Sequence, residues 1–265
     1  MTERLWNSFK IAFSMYSRIP MPKAEWTEEN ISYAMCFFPW IGGVIGGASW
    51  GVWMLREWLL SRGIPAAEWS FTVLLVLLPL ILTGGIHMDG FLDTKDALSS
   101  YQPREKRLEI LKDPHTGAFA IISCAVYMLA YTGIYASLTT DSVKIIALSF
   151  VLSRTLSGLS VLCFPQAKKE GLLVSFSKGA KKRPGRIVLG SYLLILCVLM
   201  IWMGRISGVA CLVAAGASFL YYYRMSMKNF GGVTGDLAGY FLQMCEILMA
   251  AAVVVTDILV KGAGL

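Results

Sequence analysis

The sequence predicts an all-α fold: a polytopic integral membrane helical bundle of about seven transmembrane helices, preceded by an N-terminal interfacial helix. Three observations predict it. Hydrophobic residues fill 56% of the 265 positions and charged residues only 15%. Mean hydropathy is +0.60, outside the range of an ordinary soluble domain. Apolar runs long enough to cross a hydrocarbon layer of ~30 Å recur along the whole chain, so residues 1–265 are expected to form a single integral membrane catalytic domain.

The elements follow in order. Residues 1–32 read as an amphipathic arm, because "LWNSFKIAFSMYSRIPMP" alternates apolar and polar residues at helical spacing before Pro20 and Pro22 stop it. Spans are expected at Tyr33–Leu59, Phe71–Ile86, Ala118–Leu138, Val143–Phe164, Ile187–Met203, Gly208–Tyr223 and Ala238–Val260. No cleavable signal peptide is expected, since the first thirty residues carry four basic side chains and no compact apolar core. The six cysteines stand singly in or beside apolar runs, without a C-x-x-C pair, and read as small core residues.

Orientation follows from the basic residues. Alternate loops hold eighteen Lys and Arg on one side (the N-terminal arm, 87–117, 165–186 and 224–236) and five on the other, with Arg154 inside a span. This split puts the richer side in the cytoplasm of a prokaryote whose cytoplasmic membrane the protein would cross many times. The net charge of +7 is then mostly positive-inside anchoring, with the loop "AKKEGLLVSFSKGAKKRPGR" near anionic lipid headgroups. Nucleic acid is not expected as a partner, and homo-oligomerisation is left open.

Against this apolar background, "LTGGIHMDGFLDTKDAL" places Asp89, Asp93 and Asp96 within eight residues at the end of the second span. On a helix they fall at i, i+4 and i+7 and share one face. Three like charges repel unless a cation sits among them, and carboxylate oxygens are the ligands Mg²⁺ prefers. A polar helix cap would account for one aspartate more readily than three. The same loop continues with Arg107, Glu109, Lys112 and Asp113, where Arg107 and Lys112 could meet phosphate oxygens, although by pattern alone ordinary i, i+4 pairing on a solvated helix is the better explanation. Loops 87–117 and 224–237 are expected to form the active site.

A second acidic stretch, "NFGGVTGDLAGYFLQMCEIL", repeats the spacing of Gly84, Gly85 and Asp89 in Gly231, Gly232 and Asp236. Paired glycines permit close backbone approach and can leave amide N–H groups free for an anion. Glu246 continues the face of Asp236 into the seventh span, where an ionisable group is costly. Arg154 in the fourth span is its candidate partner; the two either form a structural pair or help hold substrate. His87, one of two histidines, is a candidate general base or an orienting group for Asp89.

"TGGIHMDGFLDTKDAL", "RLEILKD" followed by Gly117, "SRT" at Ser153–Thr155, "SRIPMP" and "GGVTGDLAG" resemble, in order and across nearly the whole chain, the motifs of the adenosylcobinamide-GDP ribazoletransferase family, also called cobalamin (5'-phosphate) synthases. The resemblance implies a Mg²⁺-dependent membrane enzyme that joins adenosylcobinamide-GDP to α-ribazole, or to its 5'-phosphate, with release of GMP. It implies metal ligation by Asp89, Asp93, Asp96, Asp113 and Asp236, and substrate contacts from Arg107, Lys112, Arg154, Gly84, Gly85, Gly231, Gly232, Thr234 and Glu246. Such a displacement needs no protein nucleophile.

Two rival classes share parts of the pattern. A phospholipid-forming CDP-alcohol phosphotransferase also pairs membrane helices with an acidic cluster, but "DGFLDTKD" has the wrong order for its D-x-x-D-G-x-x-A-R signature. A cation or metabolite transporter would line the bilayer midplane with its acids, whereas these gather at one membrane face.

Overall fold

The computed structural model describes residues 2–64, 68–168, 176 and 179–262. Ten helices are named here: α1 (Thr2–Tyr16), α2 (Glu28–Ile31), α3 (Ala34–Ser61), α4 (Glu68–Thr83), α5 (Ile86–Ser99), α6 (Arg104–Ile110), α7 (Ala118–Tyr135), α8 (Thr140–Cys163), α9 (Lys182–Phe230) and α10 (Gly235–Gly262). No strand occurs among the described residues, so the fold is all-α as the composition demands. Of the basic loop, residues 169–175, 177 and 178 lie outside the described residues.

Five helices are long and apolar enough to cross a membrane, and the pair α4 and α5 adds a sixth if counted as one broken span. The difference from seven lies in α9. Its 49 residues would stretch about 73 Å if straight, far beyond a bilayer. Arg205, at φ 44° and ψ −114°, interrupts the helical backbone. A Cβ built on Gly208 would lie 1.9 Å from the carbonyl oxygen of Met200, eight residues back, whereas the same separation along a straight helix is about 12 Å. The chain therefore reverses at Arg205, and α9 is a hairpin of two apolar arms that match the fifth and sixth expected spans.

Small residues let α3 and α8 pack closely at the centre of the bundle. A Cβ on Gly42 or Gly46 would come within 2.2 Å of the carbonyl oxygen of Phe150 or Ala147. At the end remote from Asp89, a capping box at Thr139 starts α8, and Asp257 of α10 accepts hydrogen bonds from Thr139 and from Ser207 of α9. These bonds lock three helix ends together.

The N-terminal arm departs from the expectation in two ways. It does not merely lie in the interface: its buried face of Ile11, Ala12, Phe13 and Tyr16 joins the core, with Tyr16 4.5 Å from Phe38 of α3 by ring centroids. Nor do the prolines end it. Helix α1 stops at Tyr16, four residues before Pro20, where the Ser17 hydroxyl donates to the Phe13 carbonyl (2.7 Å) and accepts from the Ile19 amide (3.3 Å).

Candidate active site

The chain turns through 93° between α4 and α5. Gly84 and Gly85 make that turn, both at positive φ (67° and 79°), a conformation costly for any residue with a Cβ. Helix α5 thus leaves the direction of the spans and crosses the start of α10. Two glycines set how closely they cross: a Cβ on Gly90 would lie 2.7 Å from the Asp236 carbonyl oxygen, and one on Gly239 would lie 2.9 Å from that of His87. The backbones touch, and Asp89 and Asp236, each in the first turn of its helix, meet at the crossing. Two helix N-termini converging at one point favour negative charge there.

Helical geometry over 86–99 places Asp89, Asp93 and Asp96 on one face, as their spacing requires. Partial burial, then the neighbouring charges of Asp89, Asp236 and Asp96, push the Asp93 carboxyl up to about 6, with Lys168 acting in the opposite direction. Lys168 stands 3.5 Å from Asp236. Its loop is pinned to the glycine turn before α10 by the Ala167 amide to the Val233 carbonyl (3.0 Å) and the Val233 amide to the Pro165 carbonyl (2.8 Å). The nearby Lys95 lies over the rings of Phe91 and Tyr240, at 5.7 and 5.9 Å. Among the described residues no three Asp, Glu, His or Cys side chains close into a finished metal site. The donor set nevertheless suits a hard divalent cation: it is all oxygen, carries excess negative charge and sits at two helix starts.

The other residues singled out by sequence take several places. Asp96 accepts from the Gly117 amide (2.6 Å) and the Ala120 amide (2.8 Å), capping the exposed N–H groups at the start of α7. Asp113 faces His115 in an exposed turn, and hydrogen bonds from the His115 backbone and ring hold its carboxyl below the usual range. Arg107 binds Asn229 near the end of α9, and Arg104 lies over Gly231. Lys112 is exposed. Thr234 caps α10 by accepting from the Leu237 amide (3.2 Å) and turns its hydroxyl to Asp236 (3.3 Å).

Three of the four paired-glycine amides are taken by helix ends. Those of Gly231 and Gly232 donate to Met227 and Ser226, closing α9, and that of Gly85 donates to Leu80. Their value is conformational: Gly231 stands at φ 71°, and a Cβ on Gly232 would strike the Gln166–Ala167 peptide.

Arg154 and Glu246 do pair, at 2.7 Å and only 1% and 3% exposed, with Ser153 also donating to Glu246 (2.9 Å).

Beside the helix crossing lies a cavity of about 220 Å³. Asp89 and Asp236 line one side; Tyr16, Met35, Phe38, His87, Val161 and Leu242 are among the rest. Sequence reading missed Tyr16, Gly90 and Lys168 as parts of this region. The dipeptide Asp89–Gly90 and the short step from Asp236 to Gly239 carried the signal for a close crossing.

The fold and site together define an integral membrane protein with a carboxylate-rich centre where α5 crosses α10, next to a mostly apolar cavity. A sequence model of cobalamin-5-phosphate synthases matches residues 8–254, and the chain belongs to that family. It is 47% identical over 259 residues to the adenosylcobinamide-GDP ribazoletransferase of Lachnoclostridium phytofermentans, covering 97% of each chain. It is 34% identical to the protein of the same name from Desulfitobacterium hafniense (92% of this chain, 94% of the relative). For the one from Clostridium perfringens strain SM101 the identity is 32% (91% and 94%). No solved structure matches.

Proposed function

We propose that this chain is a transferase that joins adenosylcobinamide-GDP to α-ribazole, or to α-ribazole 5'-phosphate, and releases GMP. The observation that carries the reading is the meeting of Asp89, Asp93 and Asp236 where α5 crosses α10, in a chain whose relatives bear the name of that reaction. Asp89, Asp93 and Asp236 would hold Mg²⁺. When bound, that ion supplies charge neutralisation on the pyrophosphate and on the departing GMP.

The chain's own residues do the rest. A free ribose hydroxyl of the acceptor, not the 5'-oxygen that carries the phosphate in α-ribazole 5'-phosphate, attacks the phosphorus attached to the cobinamide. A new P–O bond forms, the bond to the second phosphorus breaks, and GMP leaves with the electron pair. A carboxylate oxygen of Asp93 takes the proton of the attacking hydroxyl. Lys168, beside Asp236, meets the phosphate oxygens as a point charge. Asp96 and Arg107 fix the framework, one through the start of α7 and the other through the end of α9. The Arg154–Glu246 pair ties α8 to α10.

The basic side of the chain, which includes this centre, faces the cytoplasm in this reading, where its nucleotide substrates are found. The test is product analysis with purified protein in lipid, Mg²⁺, and both acceptors offered together. A corrin carrying the nucleotide loop, formed with one GMP per turnover, supports the reading; free phosphate, GDP or a lipid product overturns it. A thiol probe from outside intact cells should miss Ser100→Cys, and labelling there would reverse the orientation.

A further inference from the structure

The cavity beside the acidic crossing is enclosed by parts of the chain that the reaction scheme does not use. Its walls come from α1 (Met15, Tyr16), α3 (Met35, Phe38), α8 (Val161) and α10 (Leu242), while His87 and Asp89 of α5 lie along one side. At about 220 Å³ it is smaller than the roughly 300–1,000 Å³ of sites that take up a whole ligand. It can therefore receive one flat part of a substrate and cannot take a corrin. Three rings frame it: His87 lies 6.1 Å from Tyr16 in a near-parallel stack and 5.8 Å from Phe38 edge-on, and Tyr16 lies 4.5 Å from Phe38. The imidazole is only 5% exposed, and its Nε2 has no hydrogen-bond partner among the described residues. A buried polar atom without a protein partner is costly unless a water or a ligand meets it.

We propose that this cavity is the seat of the acceptor's base: the fused two-ring aromatic heterocycle of α-ribazole enters between Tyr16, Phe38 and Met35, hydrogen-bonds through a ring nitrogen to His87 Nε2, and leaves its attacking ribose hydroxyl at Asp89 and Asp236. The inference rests on the reaction proposed above. Guanine of the donor is the competing occupant, since it too is a flat two-ring base. Its edge, however, presents several donors and acceptors that need partners, and with Asp89 and Asp236 given to the cation this cavity offers only the side-chain groups of His87, Ser157 and Tyr16. A base with an apolar rim and one exposed ring nitrogen matches the lining better. His87 is thereby a specificity residue that touches the base, and Tyr16 gives the N-terminal helix a part in substrate choice.

The experiment uses the full chain in lipid and measures initial rates with each substrate varied in turn. Val161→Phe, which narrows the cavity without touching the carboxylates, should raise KM for α-ribazole at least tenfold and leave KM for adenosylcobinamide-GDP within twofold. Phe38→Leu, which widens it, should let an acceptor nucleoside with a third fused ring compete where the wild type rejects it. His87→Gln, which keeps a hydrogen-bond donor, should retain more of the acceptor affinity than His87→Leu. If Val161→Phe instead raises KM for adenosylcobinamide-GDP alone, the cavity holds guanine and the inference falls while the reaction stands. Unchanged KM values for both substrates in both folded cavity variants also overturn it. Absence of any GMP release by the wild type would strike the proposed reaction itself, a separate outcome.

Discussion

Replacing Gly90 by alanine adds a single methyl group at the crossing of α5 and α10 and changes no charge. That methyl would lie 2.7 Å from the Asp236 carbonyl oxygen and 2.9 Å from its Cα. Carbon contacts become comfortable at about 3.5 Å. The helices must therefore part by about 0.8 Å, and since both neighbours are backbone atoms, no side chain can absorb the shift. Asp89 and Asp93 ride on one helix and Asp236 on the other, so the displacement acts directly on the carboxylates that would share a cation. Misplacement of about 1 Å in a catalytic arrangement can cost about a hundredfold in rate. Gly90→Ala should accordingly lower kcat by roughly 10- to 100-fold, or about 1.4–2.8 kcal/mol in the barrier. It should also raise the Mg²⁺ concentration needed for half-maximal rate. The assay is GMP release by purified protein in lipid, with Gly43→Ala as control, because nothing lies within 4 Å of a Cβ at Gly43. A folded Gly90→Ala protein with wild-type kcat and Mg²⁺ dependence would refute the idea that this crossing sets the site.

Asp89→Asn and Asp236→Asn should each reduce turnover by more than tenfold while the protein still inserts; a variant that keeps more than a tenth of the rate, a loss under ~1.4 kcal/mol, is not bound to the metal in the transition state. For Asp93 the sign runs opposite to the usual carboxylate: its folded value near 6 lies above the ordinary 3.8, so the folded state holds the extra proton between those values. Metal-free protein should therefore gain stability as pH falls from about 7 to 5, and Asp93→Asn should flatten that part of the melting-temperature profile; an unchanged profile would show that neighbouring acids do not press on Asp93. Breaking the buried pair by Arg154→Met alone should cost about 3–5 kcal/mol, whereas Arg154→Met with Glu246→Met should restore folded yield and keep activity within tenfold. A folded but inactive double variant would assign the pair to substrate.

Much of this was legible in the sequence because it depends on local periodicity. The i, i+4, i+7 spacing of Asp89, Asp93 and Asp96 needs only a helix to become a face, and the run of apolar segments needs only a bilayer. The Arg154–Glu246 pair was legible because two lone charges at membrane depth have few alternatives to each other. What sequence did not reveal depends on partners far along the chain. Asp96 lies on the acidic face by spacing, yet the start of α7, twenty-one residues on, takes both its oxygens. The glycine pairs suggested free amides, but helix ends claim those of Gly85, Gly231 and Gly232. The reversal at Arg205, by contrast, was legible, because Gly204, Arg205 and Gly208 divide the apolar stretch into the fifth and sixth expected spans. Lys168 reaches Asp236 through a loop pairing that no spacing rule predicts.

The most direct test of the carboxylate centre is metal dependence read on product. Purified protein in lipid, given adenosylcobinamide-GDP and α-ribazole, should form no GMP after chelation and recover with Mg²⁺ or Mn²⁺, both of which accept oxygen ligands in octahedral geometry. Ca²⁺ should compete and inhibit, and Asp89→Asn should recover with none of the three. GMP formed together with the joined corrin at an undiminished rate in chelator, or by Asp89→Asn, would contradict the account.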